Sequence, residues 1–148
     1  MLTTQRQIVD RLRTLCLSHK MVNEVRYGFL NDAEDLPDFN GPIIYIIPQP
    51  TSVPREGIFR FTFQLICMDE LFPSKLNFED IVSDTGSTLM DIYSALLYID
   101  SSTESWLNPP GTLITPFQER FTAFMAGNTM TIALDVFQYN CLTEKPFN

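Results

Sequence analysis

The sequence predicts an α+β domain: a mainly antiparallel sheet of about five strands with two helices packed on one face, in the order α-β-β-β-α-β-β. Three observations predict it. Apolar residues recur at helical spacing near the N-terminus and again between Phe78 and Ile99, and a strict two-residue alternation runs from Ile58 to Met68. The chain has 148 residues, 45% of them hydrophobic, which suits one domain over 1–148 with its own core.

From Thr4 to Lys20, Ile8, Val9, Leu12, Leu15 and Cys16 make one apolar stripe, with Gln5, Arg6, Asp10, Arg11, Arg13 and Thr14 opposite. A short extended piece, Val22 to Tyr27, follows and stops at Gly28. The acidic stretch "NDAEDLPDFNGP", Asn31 to Pro42, reads as a loop. "IIYII", Ile43 to Ile47, is too short for a helix between its prolines and is apolar on both alternating faces, as a central, doubly covered strand is. "PQPTSVPREG", Pro48 to Gly57, reads as a long connection of the kind that often carries function. In the next segment Phe59, Phe61, Phe63, Leu65 and Cys67 share one face and Arg60, Thr62 and Gln64 the other, a half-buried antiparallel strand.

Phe78, Ile81, Val82, Thr85, Leu89, Ile92, Leu96 and Ile99 then form one stripe of a helix about six turns long. Asn77 is placed to cap it, and Glu79, Asp80 and Asp84 favour its positive end. "SSTESWLNPPGT", Ser101 to Thr112, is a second long loop. Leu113 to Leu142 divides at "AGNT" into two strands, with Phe121, Ala123 and Met125 before the turn and Met130, Ile132, Leu134 and Val136 after it. Gly127-Asn128 marks the hairpin turn. The tail, 143–148, carries no pattern and is expected to be loose.

The net charge is −8, unevenly spread: residues 1–31 hold five basic and two acidic side chains, residues 32–104 three basic and thirteen acidic. An acidic middle repels phosphate backbones, which argues against sequence-specific binding of DNA or RNA. No apolar run approaches the length of a membrane span, and the first fifteen residues lack the hydrophobic segment of a signal peptide, so a soluble chain without membrane partners is expected. Cys16, Cys67 and Cys141 are widely separated in apolar surroundings and read as core residues. With one histidine and no Cys-x-x-Cys pair, neither a metal site nor a cofactor is expected.

Asp84-Thr85-Gly86-Ser87 is the tetrapeptide that pepsin-like proteases place around a catalytic aspartate. Such enzymes need two carboxylates sharing one proton, so a chain with one motif must work as a homodimer. The flanks instead put Asp84 on a helix with Asp80, Ser87, Thr88 and Asp91, away from the apolar stripe, and the carboxylates of Asp80, Asp84 and Asp91 form a solvated acidic face. Gly86 then either admits a close neighbour or lies in the first turn of a helix starting near Ser83. His19 reads as a helix-terminal cation beside Lys20, and Asp69-Glu70 as a solvated pair. There is no G-x-S-x-G elbow, no phosphate-binding glycine loop and no dinucleotide pattern, so no enzyme is expected and no catalytic residue is assigned. A homodimeric retroviral-type aspartic protease using Asp84 is the alternative from another class.

"NEVRYGFLNDAEDLPDFNGPIIYIIPQP", then "ICMDELFPSKLNFEDIVSDTGSTLMDIYSAL", then a C-terminal hairpin, resembles the tail-terminator and neck proteins of tailed bacteriophages. The matching positions are Met68, Asp69, Asn77, Ser83, Asp84, Thr85 and Asp91, in an order of elements extending over about residues 5–140. The resemblance implies a structural virion protein, present in the host cytoplasm during assembly. It would form a ring, a hexamer in that family, that caps the tail tube and joins it to the head connector, with DNA passing non-specifically through the channel. Another neck or head-closure adaptor is the alternative within the class. Val53, Arg55, Phe72, Trp106 and Leu107, on or beside exposed loops, are the candidate contacts with ring neighbours, tube protein and connector.

Overall fold

The computed structural model describes residues 4–29, 41–71, 74, 76–97, 106–107, 111–118 and 125–137. Its elements are α1 (Gln5–Leu17), β1 (Glu24–Tyr27), β2 (Ile43–Pro48), β3 (Ser52–Arg55), β4 (Ile58–Glu70), α2 (Phe78–Leu97), β5 (Trp106–Leu107), β6 (Ile114–Gln118) and β7 (Met125–Phe137).

α1 starts where the sequence supplies a reciprocal cap: the Thr4 hydroxyl accepts from the Gln7 N–H, and the Thr4 N–H donates to the Gln7 side chain at 2.8 Å. At α2, Asn77 occupies the residue before the helix, and its carbonyl accepts the first helical bond from Ile81. Its side-chain amide reaches back to the Glu70 carbonyl at 3.1 Å, tying the start of α2 to the end of β4.

β4 and β7 are the axis of the sheet, two thirteen-residue strands paired antiparallel along their whole length from Ile58↔Phe137 to Glu70↔Met125. β2 and β3 pair with the other edge of β4, β5 and β6 pair with the outer edge of β7, and β1 adds to β2. All pairings among the described residues are antiparallel except β1 with β2.

One face of the sheet carries Ile44 and Ile46 of β2, Phe63, Leu65 and Cys67 of β4, and Met130, Ile132, Leu134 and Val136 of β7. Ile8, Val9, Leu12 and Cys16 of α1 and Leu89, Ile92 and Leu96 of α2 join the same cluster, so both helices pack on this face. α1 lies over β1, and α2 lies over β7 with β4 and β6. Each fully buried Ile, Leu or Phe here contributes about 1.5–3 kcal/mol, which is what holds the two layers together. On the opposite face Ile43, Tyr45, Ile47, Ile66, Met68 and Met125 form a second buried cluster. "IIYII" is therefore covered on both sides, as its composition requires.

Three expectations are corrected. "AGNT" is no turn: Ala126 to Thr129 lie inside β7, each paired with a residue of β4, and the strand preceding β7 is β6. Phe121 and Ala123, placed in that hairpin by the sequence, lie outside the described residues. The proline-rich connection also contains a strand, since β3 folds back on β4 through the turn Glu56-Gly57, with Gly57 at φ +81° in the left-handed region. With the two-residue β5 added, seven strands stand among the described residues instead of about five.

Candidate functional site

Val53 and Arg55 lie on β3, all four residues of which are exposed. Trp106 and Leu107 form β5, opposite Val136 and Asp135. Ser52, Arg60, Asp135 and Leu107 stand in one cross-strand row, so β3 and β5 occupy opposite edges of the same end of the sheet. Three strand spacings, about 14 Å, separate them. Between them Arg60 grips Asp135 with two hydrogen bonds of 2.7 and 3.0 Å, a forked pair joining the two long strands on the face away from the helices. Phe72 lies outside the described residues.

The tetrapeptide is inside α2. Asp84 is exposed with Asp80, Ser87 and Asp91, which places the acidic face where the periodicity put it. Thr88 departs from that expectation: it is buried, its hydroxyl donating to the Asp84 carbonyl at 2.8 Å. Pepsin-type geometry sets its aspartate on a tight loop after a strand, whereas here the aspartate lies in a continuous helix.

Gly86 answers to a neighbour, not to a helix start. A Cβ at Gly86 would stand 3.3 Å from Nδ2 of Asn128 on β7. That amide donates to the Val82 carbonyl at 2.8 Å and to the Thr85 hydroxyl at 2.9 Å, while the Thr85 hydroxyl donates to Ile81 at 2.7 Å. Thr85, Gly86 and Asn128 thus form a buried polar junction between α2 and β7. Nothing local in the sequence marks it, because its halves are 43 residues apart.

His19 follows α1 and bridges the helices. Its Nδ1 accepts the Met21 N–H at 3.1 Å and must carry the lone pair, so Nε2 carries the hydrogen and donates to Asp91 at 2.9 Å. Both ring nitrogens are engaged within the chain. The pair closes a cleft of about 160 Å³ lined also by Leu15, Ser18, Ile92 and Ala95. Cys16 and Cys67 are free and buried, and burial pushes both thiols up to about 12. At neutral pH they are packing groups, not nucleophiles. Cys141 lies outside the described residues. Among the described residues no group of three or more His, Cys, Asp or Glu could hold a metal ion, and no helix is long and apolar enough to cross a membrane.

Asp69, half-buried at the exit of β4, has its carboxyl raised above the usual aspartate range by burial, against the lowering effect of the Glu70 N–H that it accepts at 2.8 Å. Glu70 and Asp84 raise it further. The folded state thus holds its proton more tightly than the unfolded chain, and stability falls as pH rises above the ordinary aspartate value of 3.8. Asp69→Asn keeps an oxygen for the Glu70 N–H and removes the charge. It should raise stability at neutral pH by under about 1 kcal/mol, given solvent screening at a half-exposed site. Urea denaturation at pH 7 and again near pH 3 checks this, with the gain vanishing at the lower pH.

The large exposed apolar residues are unevenly placed: Val53 on β3 and Leu76 just before α2 stand apart, and the other seven fall on two sides. Leu17 and Met21 lie at the end of α1, and Tyr27 and Phe29 at the end of β1, on one side of the subunit. Met90 and Leu97 lie on α2, and Leu113 just before β6, on the other side. The Tyr93 hydroxyl, accepting the Gly111 N–H at 2.9 Å, holds the segment leading to Leu113 beside α2. None of these seven was marked as a contact by the sequence, since a lone apolar residue on a polar helix face carries no local signal. No protein-family model matches the chain, and no curated protein compared with it does.

Proposed function

We propose that the chain is a structural assembly subunit of a tailed bacteriophage, a tail terminator that forms a ring, caps the tail tube and joins it to the head connector. The observation that carries this reading is the pair of exposed apolar patches on opposite sides of one subunit. A closed ring needs two different, mutually complementary surfaces on each copy, whereas a twofold dimer needs only one. The segment that resembles phage neck proteins supports it too. Met68 and Asp69 lie just before the end of β4 at Glu70, Asn77 ties that end to α2, and Ser83, Asp84, Thr85 and Asp91 follow along α2. The acidic face of Asp80, Asp84 and Asp91 suits a conduit wall past which DNA slides without sticking.

Light scattering on the purified chain tests the reading. A ring of about six copies of the 17.0 kDa subunit is expected, with annular particles in negative stain. A strict monomer at the highest soluble concentration, or an open fibre, overturns it.

A further inference from the structure

We propose that copies of this chain join head to tail through the flanks of the two helices, the outer flank of α1 on one copy meeting the outer flank of α2 on the next. This rests on the ring reading and specifies which surfaces make the contact. The flank of α1 that faces α2 is fixed by Leu15 and Ser18, which share a cleft with Asp91, Ile92 and Ala95. Arg6, Arg13 and Leu17, spaced seven and four residues apart, occupy the flank on the other side. On α2 the side towards α1 is marked by Asp91 and Ala95 in the same cleft. Glu79, Met90 and Leu97 line the far flank, beside Leu113.

The two flanks differ in charge and have matching apolar centres. The outer flank of α1 holds Arg6 and Arg13 with Asp10 between them, and the far flank of α2 holds Glu79 and no basic residue, since Asp80, Asp84 and Asp91 lie on the side towards α1. Leu17 is 48% exposed, Met90 54% and Leu97 49%, so each flank leaves apolar area in water beside its charges. Among the described residues Arg13 is short of acceptors: its buried Nε has none, and Nη1 finds Asp10 at 3.9 Å. Glu79 of the next copy, docked there, supplies an acceptor to that guanidinium. A stable contact needs about 800 Å² from each partner, more than one helix flank offers, so Tyr27 and Phe29 beside α1 and Leu113 beside α2 belong to it. The apolar contacts hold the junction, and the pairing of Glu79 with the arginines of α1 sets which flank meets which.

Complementation of edge variants decides the matter. One variant carries Arg6→Glu with Leu17→Glu, the other Met90→Glu with Leu97→Glu, all at exposed positions, with circular dichroism verifying the fold of each. Each variant alone should be a 17.0 kDa monomer, because each has lost one of its two surfaces. Mixed in equal amounts they should give a complex of twice that mass and stop there, since one intact flank of each kind remains and the two altered flanks repel. Assembly of either variant alone at the wild-type size overturns the inference while leaving the ring reading standing. A mixture that stays monomeric overturns it as well. Complementary dimers from the variants, with open fibres from the wild type, uphold this contact and sink the closed ring.

Discussion

Gly127→Val should unfold the domain or come close to it. Gly127 sits opposite Met68, the third pair from the Glu70↔Met125 end of the β4–β7 ladder, and a Cβ there would run into the Cys67 carbonyl oxygen and lie 2.8 Å from the Met68 Cα and 2.9 Å from the Cys67 carbonyl carbon. These are backbone atoms of a central strand, so no flexible side chain can move aside. β4 is held on its other edge by β2 and pressed from both faces by buried clusters, so relief requires parting the two long strands. The expected cost exceeds the usual 1–3 kcal/mol of an overpacked core, about 4 kcal/mol or more. Gly127→Ala already places the offending atom and should cost nearly as much. Urea denaturation measures it, and a loss below about 1 kcal/mol for alanine would contradict the strand approach described.

Asn128→Asp should be the second most damaging change. Asn128 is 3% exposed, and its amide nitrogen donates to the Val82 carbonyl and the Thr85 hydroxyl. Aspartate puts an acceptor where a donor is needed, facing a carbonyl oxygen across a buried gap. Either the charge is buried without a partner or the carboxyl takes up a proton, and the expected cost is about 3 kcal/mol or more. Asn128→Ala removes the donor and leaves the Val82 oxygen with one bond fewer and a void beside Gly86, for about 2 kcal/mol. The discriminating comparison is pH: the aspartate variant should regain part of its stability as the medium is acidified, and the alanine variant should not. Equal pH profiles would show that the junction does not depend on the donor.

These two residues mark the limit of what the sequence makes legible. The helix of Ile81, Thr85, Leu89, Ile92 and Leu96 and the strand of Phe63, Leu65 and Cys67 were readable because burial imposes a period on consecutive residues. "AGNT" was misread because glycine followed by asparagine is the usual signature of a tight turn. Here Gly127 answers to the backbone of β4, and Asn128 to a helix more than forty residues earlier. Both requirements are long-range, and no local pattern carries them. β3 was hidden similarly, since Pro54 and the flanking prolines describe a loop until Gly57 turns the chain back onto β4. The acidic face was legible from spacing, with Thr88 the exception because its hydroxyl finds an acceptor within its own helix. The exposed flanks were not, because which side of a helix lacks a neighbour is decided by topology.

The amide of Asn128 also acts as a detent on the roll of α2. A helix seated on a sheet by apolar contacts alone can rotate about its axis by a fraction of a turn, trading one leucine contact for another. A single glycine notch with a donor lodged in it removes that freedom, since adjacent residues stand about 100° apart around a helix and only Gly86 presents the gap. The compass bearing of the side chains on α2's outer surface, Asp84, Met90 and Leu97 among them, is thus fixed from the interior by this notch, with the His19–Asp91 and Tyr93–Gly111 bonds steadying the helix from its two flanks.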